Sequence, residues 1–268
     1  SETSQHVWES VAGAFGSLKK FVEFDEAAEQ KLRQFAKTLA SPLFSTLGWT
    51  PQPGEPESST KLRILIIGMM LYAEDADVVA HAKELYSGGI DTLDPEIRAL
   101  IIGTAIKTAP NADIIKDLLA LYTKSSSPDL KTDICAGISS IRQPEHAALV
   151  LKEFTNASTI RHQDIFRWFA YFMRNRYTRD ATWQWMVTNW AWIEEHFASD
   201  KSYNAFPQYA AQGLTTREQL ANYIEFFTPK RSVPALTRSI DLGIKEIEGR
   251  LELLERDGDA VRKVLLSL

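Results

Sequence analysis

Apolar residues recur three and four positions apart along most of the chain. Between positions 6 and 18 the stripe runs through Val7, Trp8, Val11, Phe15 and Leu18, and between 28 and 44 through Leu32, Phe35, Ala36, Leu39 and Leu43. On a helix such spacing places the apolar side chains on one face, which another element must cover. The stretch 50–60, rich in Pro, Gly, Glu and Ser, predicts a surface loop. Helix starts are marked at Asp94-Pro95-Glu96 and Ser127-Pro128-Asp129, where a capping residue precedes proline and an acid. Thr215 with Glu218 predicts a capping box. Two-residue alternation is nowhere convincing, so the expected class is all-α.

The helices also repeat. Arg63, Arg98, Lys131 and Arg161 each follow an aliphatic residue near the start of a unit, at spacings of 35, 33 and 30 residues. Ile66-Ile67-Gly68 corresponds to Ile101-Ile102-Gly103, and Gly137 falls at a similar place. Such glycines either permit close helix approach or are simply tolerated. Breaks at Glu74-Asp75, Thr108-Ala109-Pro110 and Gln143-Pro144 divide residues 62–159 into three helix pairs. Two short helices cannot cover both apolar faces alone, so the pairs are expected to stack as a curved superhelix of antiparallel helix pairs, a HEAT/armadillo-like solenoid.

The terminal region, 160–268, departs from the repeat. One helix is expected over 160–175 and a second over 181–197, the latter carrying Trp183, Trp185, Trp190 and Trp192. Trp183 and Trp190 lie seven apart and read as core, with a partly exposed docking face as the alternative. Helices over 216–227 and 233–254 follow, and 257–268 reads as a terminal cap. The opening helix begins so abruptly that 1–268 reads as one domain of a larger chain.

Composition narrows the function. The balance of 44% hydrophobic and 24% charged residues suits a globular fold, and a net charge of −5 argues against general nucleic-acid binding. Cys135 is the sole cysteine, so no internal disulfide can form and a reducing compartment is expected. The longest apolar run, 64–72, is too short for a membrane span. No histidine pair in the sequence has metal-ligand spacing, and neither a phosphate loop nor a serine-nucleophile motif is present. The reading is no catalytic, cofactor or metal site in this chain. The recurring cations have two explanations: a ladder of ion pairs between repeats, or a positive lining that attracts a carboxylate such as a peptide C-terminus.

Ile160-Arg161-His162-Gln163-Asp164, then Asn175, then Ala181-Thr182-Trp183-Gln184-Trp185 and Asn189-Trp190, resemble the C-terminal helical domain of M1-family zinc aminopeptidases, in particular the puromycin-sensitive, oxytocinase and endoplasmic-reticulum group. Leu47-Gly48-Trp49 and the run 214–227 fall in the family's order. Thr178 stands in place of a glycine often found after the Asn, and the family's late tryptophan is missing near Leu251-Glu252-Leu253. The resemblance implies a non-catalytic domain that covers the active-site cleft, shapes the peptide cavity and assists closure. Zinc would belong to a catalytic domain of the same polypeptide, with its HExxH and GAMEN-type motifs, neither of which occurs here. It further implies a cytoplasmic enzyme removing N-terminal residues from peptides, this part being monomeric by itself. Arg161, Gln163, Asp164 and Arg217 become candidate contacts to peptide or to the domain interface. A free-standing helical scaffold for protein interaction is the alternative.

Overall fold

The computed structural model describes residues 2–109 and 111–268. Among these the protein is all-α, with no strand. The helices are α1 (Gln5–Phe21), α2 (Glu26–Leu47), α3 (Glu57–Tyr72), α4 (Ala76–Ser87), α5 (Pro95–Lys107), α6 (Asp113–Lys124), α7 (Pro128–Ile138), α8 (Pro144–Glu153), α9 (His162–Arg174), α10 (Arg179–Thr188), α11 (Trp190–Phe197), α12 (Ala205–Gly213), α13 (Arg217–Phe227) and α14 (Pro234–Ser267). The chain divides into two compact units. One comprises the residues up to Thr104 with Leu253–Leu268, and the other Ala105–Glu252.

In the first unit, α2 and α3 form the central pair. Ala28, Leu32, Ala36, Ala40 and Leu43 line one face of α2, and Leu62, Ile66, Ile67 and Met70 are buried on α3. Asp25 starts α2 by accepting the Ala28 amide at 3.0 Å, and Gly48 ends it with φ of 58°. The turn between α3 and α4 places Glu74 at φ of 55°, an uncommon conformation for a residue with a side chain. Arg33 of α2 pairs with its carboxylate, while Lys37 holds neighbouring Asp75 at 2.7 Å. Asp75 also caps α4 through the Val78 amide at 3.1 Å.

In the second unit, α9 packs against α7, α10 and α12 around an aromatic core. Trp168, Phe154, Phe169, Phe172 and Phe206 are fully buried. Close approach is required at two glycines that no repeat marked. A Cβ on Gly213 would collide with the Met173 carbonyl, and one on Gly243 with the Tyr223 hydroxyl. At Gly68, by contrast, the nearest atom is a Leu100 methyl at 3.9 Å, so an alanine would fit there.

Several boundaries differ from the sequence expectation. Residues 57–60, placed in the surface loop, form the first turn of α3. The break expected at Thr108-Ala109-Pro110 falls between α5 and α6, with Pro110 itself outside the described residues. The helix expected over 181–197 is interrupted at Asn189, which leaves helical geometry at φ of −103° and ψ of 20°; its side-chain amide and its backbone amide both donate to the Trp185 carbonyl, at 2.8 and 2.9 Å. The capping box is one residue later than expected. Thr216 accepts from the Gln219 amide at 3.1 Å while the Gln219 side chain accepts from the Thr216 amide. The segments expected over 233–254 and 257–268 join in one helix of 34 residues, Pro234–Ser267, because Gly258 beside the expected break costs only about 1 kcal/mol and does not force an end. Helix α12 was not anticipated.

Candidate functional site

Three of the four sequence-selected residues, Arg161, Gln163 and Asp164, lie together at the start of α9. Arg161 is the residue before the first turn, in extended conformation with φ of −63° and ψ of 144°. Its guanidinium, with the side chain 52% exposed, donates from Nε to Asp164 Oδ2 at 2.9 Å. An acid in the first helical turn suits the unpaired amides there, and it also compensates the cation that the helix dipole disfavours. The same carboxylate oxygen accepts the Tyr122 hydroxyl at 3.1 Å, 42 residues away in the chain. Tyr122 is buried on α6, and desolvation with the Asp164 charge pushes its hydroxyl up to about 12, so it remains a donor at neutral pH.

Two further cations border this group. Lys131 of α7 places its ammonium 4.9 Å from the Tyr122 ring centroid, and Arg167 donates to the Thr132 hydroxyl at 2.7 Å. Cys135 lies inside the unit, and burial raises its thiol well above the usual range, so it is not a reactive thiolate. Gln163 is exposed on the first turn of α9. Arg217 is exposed at the first position of α13, a separate helix start in the same unit. Sequence reasoning missed Tyr122 and Arg167, since nothing local links a tyrosine to an acid 42 residues later.

The four recurring cations do not make one repeated contact. Arg63 is 2% exposed and grips Glu55 with both terminal nitrogens, Nη2 to Oε2 at 2.6 Å, while Nε donates to the Leu47 carbonyl at 3.1 Å. Its environment is a turn of the first unit and leaves no face for a ligand. Arg98 donates to the Leu93 carbonyl at 3.4 Å. Lys131 faces an aromatic ring, and Arg161 alone among the four combines an ion pair with substantial exposure.

Elsewhere in the second unit the family-like segments supply core side chains and ties between turns. Trp183 and Trp190 are 7% and 6% exposed. Trp183 packs on Phe226 at 5.8 Å, and Trp190 on Phe226 and Phe227 at 5.4 and 5.5 Å. Asn175 donates to the Ser139 and Ile141 carbonyls at 2.8 and 2.6 Å, tying the α9–α10 connection to the α7–α8 turn. Thr178 takes φ of −112°, which needs no glycine, and its hydroxyl donates to the Phe172 carbonyl at 2.6 Å. Among the described residues no group of three His, Cys, Asp or Glu side chains could hold a metal ion, and no helix is long and apolar enough to cross a membrane.

A succession of packed α-helices, with no strand among the described residues, defines the class as an all-α helical domain. The chain belongs to the ERAP1-like C-terminal domain family, whose model matches residues 1–249. It is 32% identical over 272 residues to an aminopeptidase N of Lactococcus lactis subsp. lactis (strain IL1403), covering 100% of this chain and 32% of that protein. A second aminopeptidase N, from Lactococcus lactis subsp. cremoris (strain MG1363), is 30% identical with the same coverage. Glutamyl aminopeptidase of Mus musculus is 21% identical over 97% of the chain and 28% of its own length. The chain thus spans about a third of the length of these M1-family relatives, and it corresponds to their non-catalytic C-terminal domain.

Proposed function

We propose that this chain works as the C-terminal domain of a larger zinc aminopeptidase, covering the active-site cleft, shaping the peptide cavity and assisting domain closure. The observation that carries the proposal is the family match over residues 1–249. Relatives about three times as long, called aminopeptidases, support it. Zinc would be held by a catalytic domain outside these residues. It would supply the activated water there; among the described residues of this chain no group of three His, Cys, Asp or Glu side chains offers it a ligand set. The domain's own contribution is physical. Closure over a bound peptide excludes water and fixes the substrate's position. Its partners are the catalytic domain of the same polypeptide and the peptide. We place the enzyme in the cytoplasm, in keeping with a single buried cysteine.

Within this reading Arg161 meets the peptide or the domain interface, together with Gln163, Asp164 and Arg217. Asp164 uses one oxygen on Arg161 Nε, so the outer edge of the guanidinium remains directed away from that bond. An arginine edge can hold a carboxylate through two parallel hydrogen bonds. The full-length enzyme tests this. Arg161→Gln should raise KM for peptides with a free C-terminal carboxylate at least about tenfold, a loss of 1.4 kcal/mol or more, and leave short aminoacyl reporters and amidated peptides nearly unchanged. Equal effects on free and amidated peptides in a folded variant would remove the carboxylate contact. A start codon at position 1 of the encoding frame, with no catalytic module upstream, would overturn the larger proposal.

A further inference from the structure

We propose that His162 and His196 form a two-imidazole site for a borderline transition-metal ion such as Cu²⁺ or Zn²⁺, a site separate from the peptide contacts proposed for Arg161. Thirty-four residues apart in sequence, they lack the spacing of a local motif, and the fold alone joins them. His162 is the first residue of α9 and His196 lies in the last turn of α11. Their ring centroids are 4.5 Å apart at an interplanar angle of 80°. Two imidazoles on one ion, with metal–nitrogen bonds of ~2.1 Å, place their ring centres about 5 Å apart, so the separation of the two rings is in the range that a shared ion requires.

The surroundings of His196 are those of a prepared ligand. Its Nδ1 lies 2.8 Å from the Trp192 carbonyl, so that nitrogen carries a proton and Nε2 carries the lone pair. A carbonyl that fixes the tautomer and orientation of a histidine is the usual outer partner of a metal ligand. The indole of Trp192 stacks on the same ring, with centroids at 4.5 Å and planes at 28°, and it also meets His162 edge-on at 5.4 Å. Among the described residues, neither Nε2 of His196 nor the His162 ring has a hydrogen-bond partner. Both rings are partly exposed, so an ion and its waters can reach them.

The choice of ion follows from the local field. The unpaired amides at the start of α9 and the Arg161 guanidinium oppose any cation, and the Asp164 carboxylate is already engaged by Arg161 and Tyr122, so an ion is held here only through strong bonds to imidazole nitrogen. Hard ions that depend on carboxylate charge, such as Ca²⁺ and Mg²⁺, are therefore not expected. Imidazole suits copper, zinc and nickel, and the general affinity order places Cu²⁺ highest.

The test uses the metal-free 268-residue chain, with histidine rings labelled with ¹⁵N and CuCl₂ as the probe. Substoichiometric Cu²⁺ should broaden the ring signals of His162 and His196 first. Those of His6 and His81, exposed and single, should respond only at higher metal. Electron paramagnetic resonance should show two imidazole nitrogens on the ion. By calorimetry, His162→Gln and His196→Gln should each weaken Cu²⁺ binding by at least about tenfold, the range seen when ligands or their outer partners are lost. Unchanged binding in either folded variant, or earlier broadening at His6 or His81, would overturn the proposal. Should a variant fail to fold by circular dichroism, the broadening order in the unaltered chain decides.

Discussion

The two compact units solve the same problem, covering short helices, with different chemistry. In the first unit the buried side chains are mainly aliphatic, among them Leu32, Ile66, Ile67, Met70 and Ile101, and the connections are tied by charge. Glu55–Arg63, Glu74–Arg33 and Asp75–Lys37 each join a turn to a helix. In the second unit the core is aromatic, and the connections are tied by donors reaching backbone carbonyls. Asn175 holds Ser139 and Ile141, Thr178 holds Phe172, and Arg250 holds Ala211 and Leu214 at 2.8 and 2.6 Å. A carbonyl does not titrate, whereas a carboxylate does. The first unit should therefore be sensitive to acid at its turns and the second to loss of volume.

The largest expected effect tests the aromatic side. Trp183→Ala removes an indole packed on Tyr223, Phe226 and Phe227. Truncation of a buried aromatic costs ~3–5 kcal/mol, and segment-resolved hydrogen exchange should show protection lost first in α10 and α13. Protection unchanged in those helices would mean that the indole contributes little to the core. Gly213→Ala comes next. The added methyl must displace the Met173 carbonyl or the α12 backbone, an overpacking that costs ~1–3 kcal/mol. A urea midpoint equal to that of the parent protein would show that the close approach can relax.

The charged side is best tested by pH. Arg63 and the Gln52 amide hold the Glu55 carboxyl at about 2, below its ordinary 4.5. A carboxyl whose pKa is lowered in the folded state stabilises it fully above the ordinary value. That contribution disappears as pH falls from about 4.5 towards 2. Glu55→Gln should accordingly lower the urea midpoint at pH 7, and the difference from the parent protein should close towards pH 2.5. A gap that stays constant with pH would assign the effect to packing. The smallest effect belongs to Lys37→Met. Lys37 is substantially exposed, and ion pairs of that kind contribute little and are screened by salt. Exchange in the α3–α4 turn should change no more than it does in the parent protein between low and high salt.

Much of the helical order was legible because it depends on local periodicity and local caps. The Asp94 and Ser127 starts are present, with Asp94 accepting the Glu96 amide at 2.9 Å and Ser127 the Leu130 amide at 3.2 Å. The breaks that were misread involve balances too fine for pattern alone. Asn189, at φ of −103° and ψ of 20°, interrupts the helix after Val187 and Thr188, two β-branched residues, while Asp257-Gly258-Asp259 fails to interrupt α14, where Arg256 and Arg262 pair with the two acids. At the candidate site, Arg161, Gln163 and Asp164 could be picked out because they are neighbours in a family-like segment. Tyr122 and Lys131 join them only through packing of α6 and α7 near α9, and Arg167, on α9 itself, acquires its partner Thr132 the same way.

The sequence by itself determined the class of this protein. Helix periodicity and capping act over a few residues, and the family-like segments keep their order without reference to contacts. Tertiary structure decided the partners. Whether an arginine is a buried strut, as at Arg63, or a half-exposed edge, as at Arg161, depends on which chain segment returns to cover it. The same holds for His162 and His196, which become neighbours only when α9 and α11 pack. Desolvation, charge pairing and ring contact act through space, and distance along the chain does not encode them.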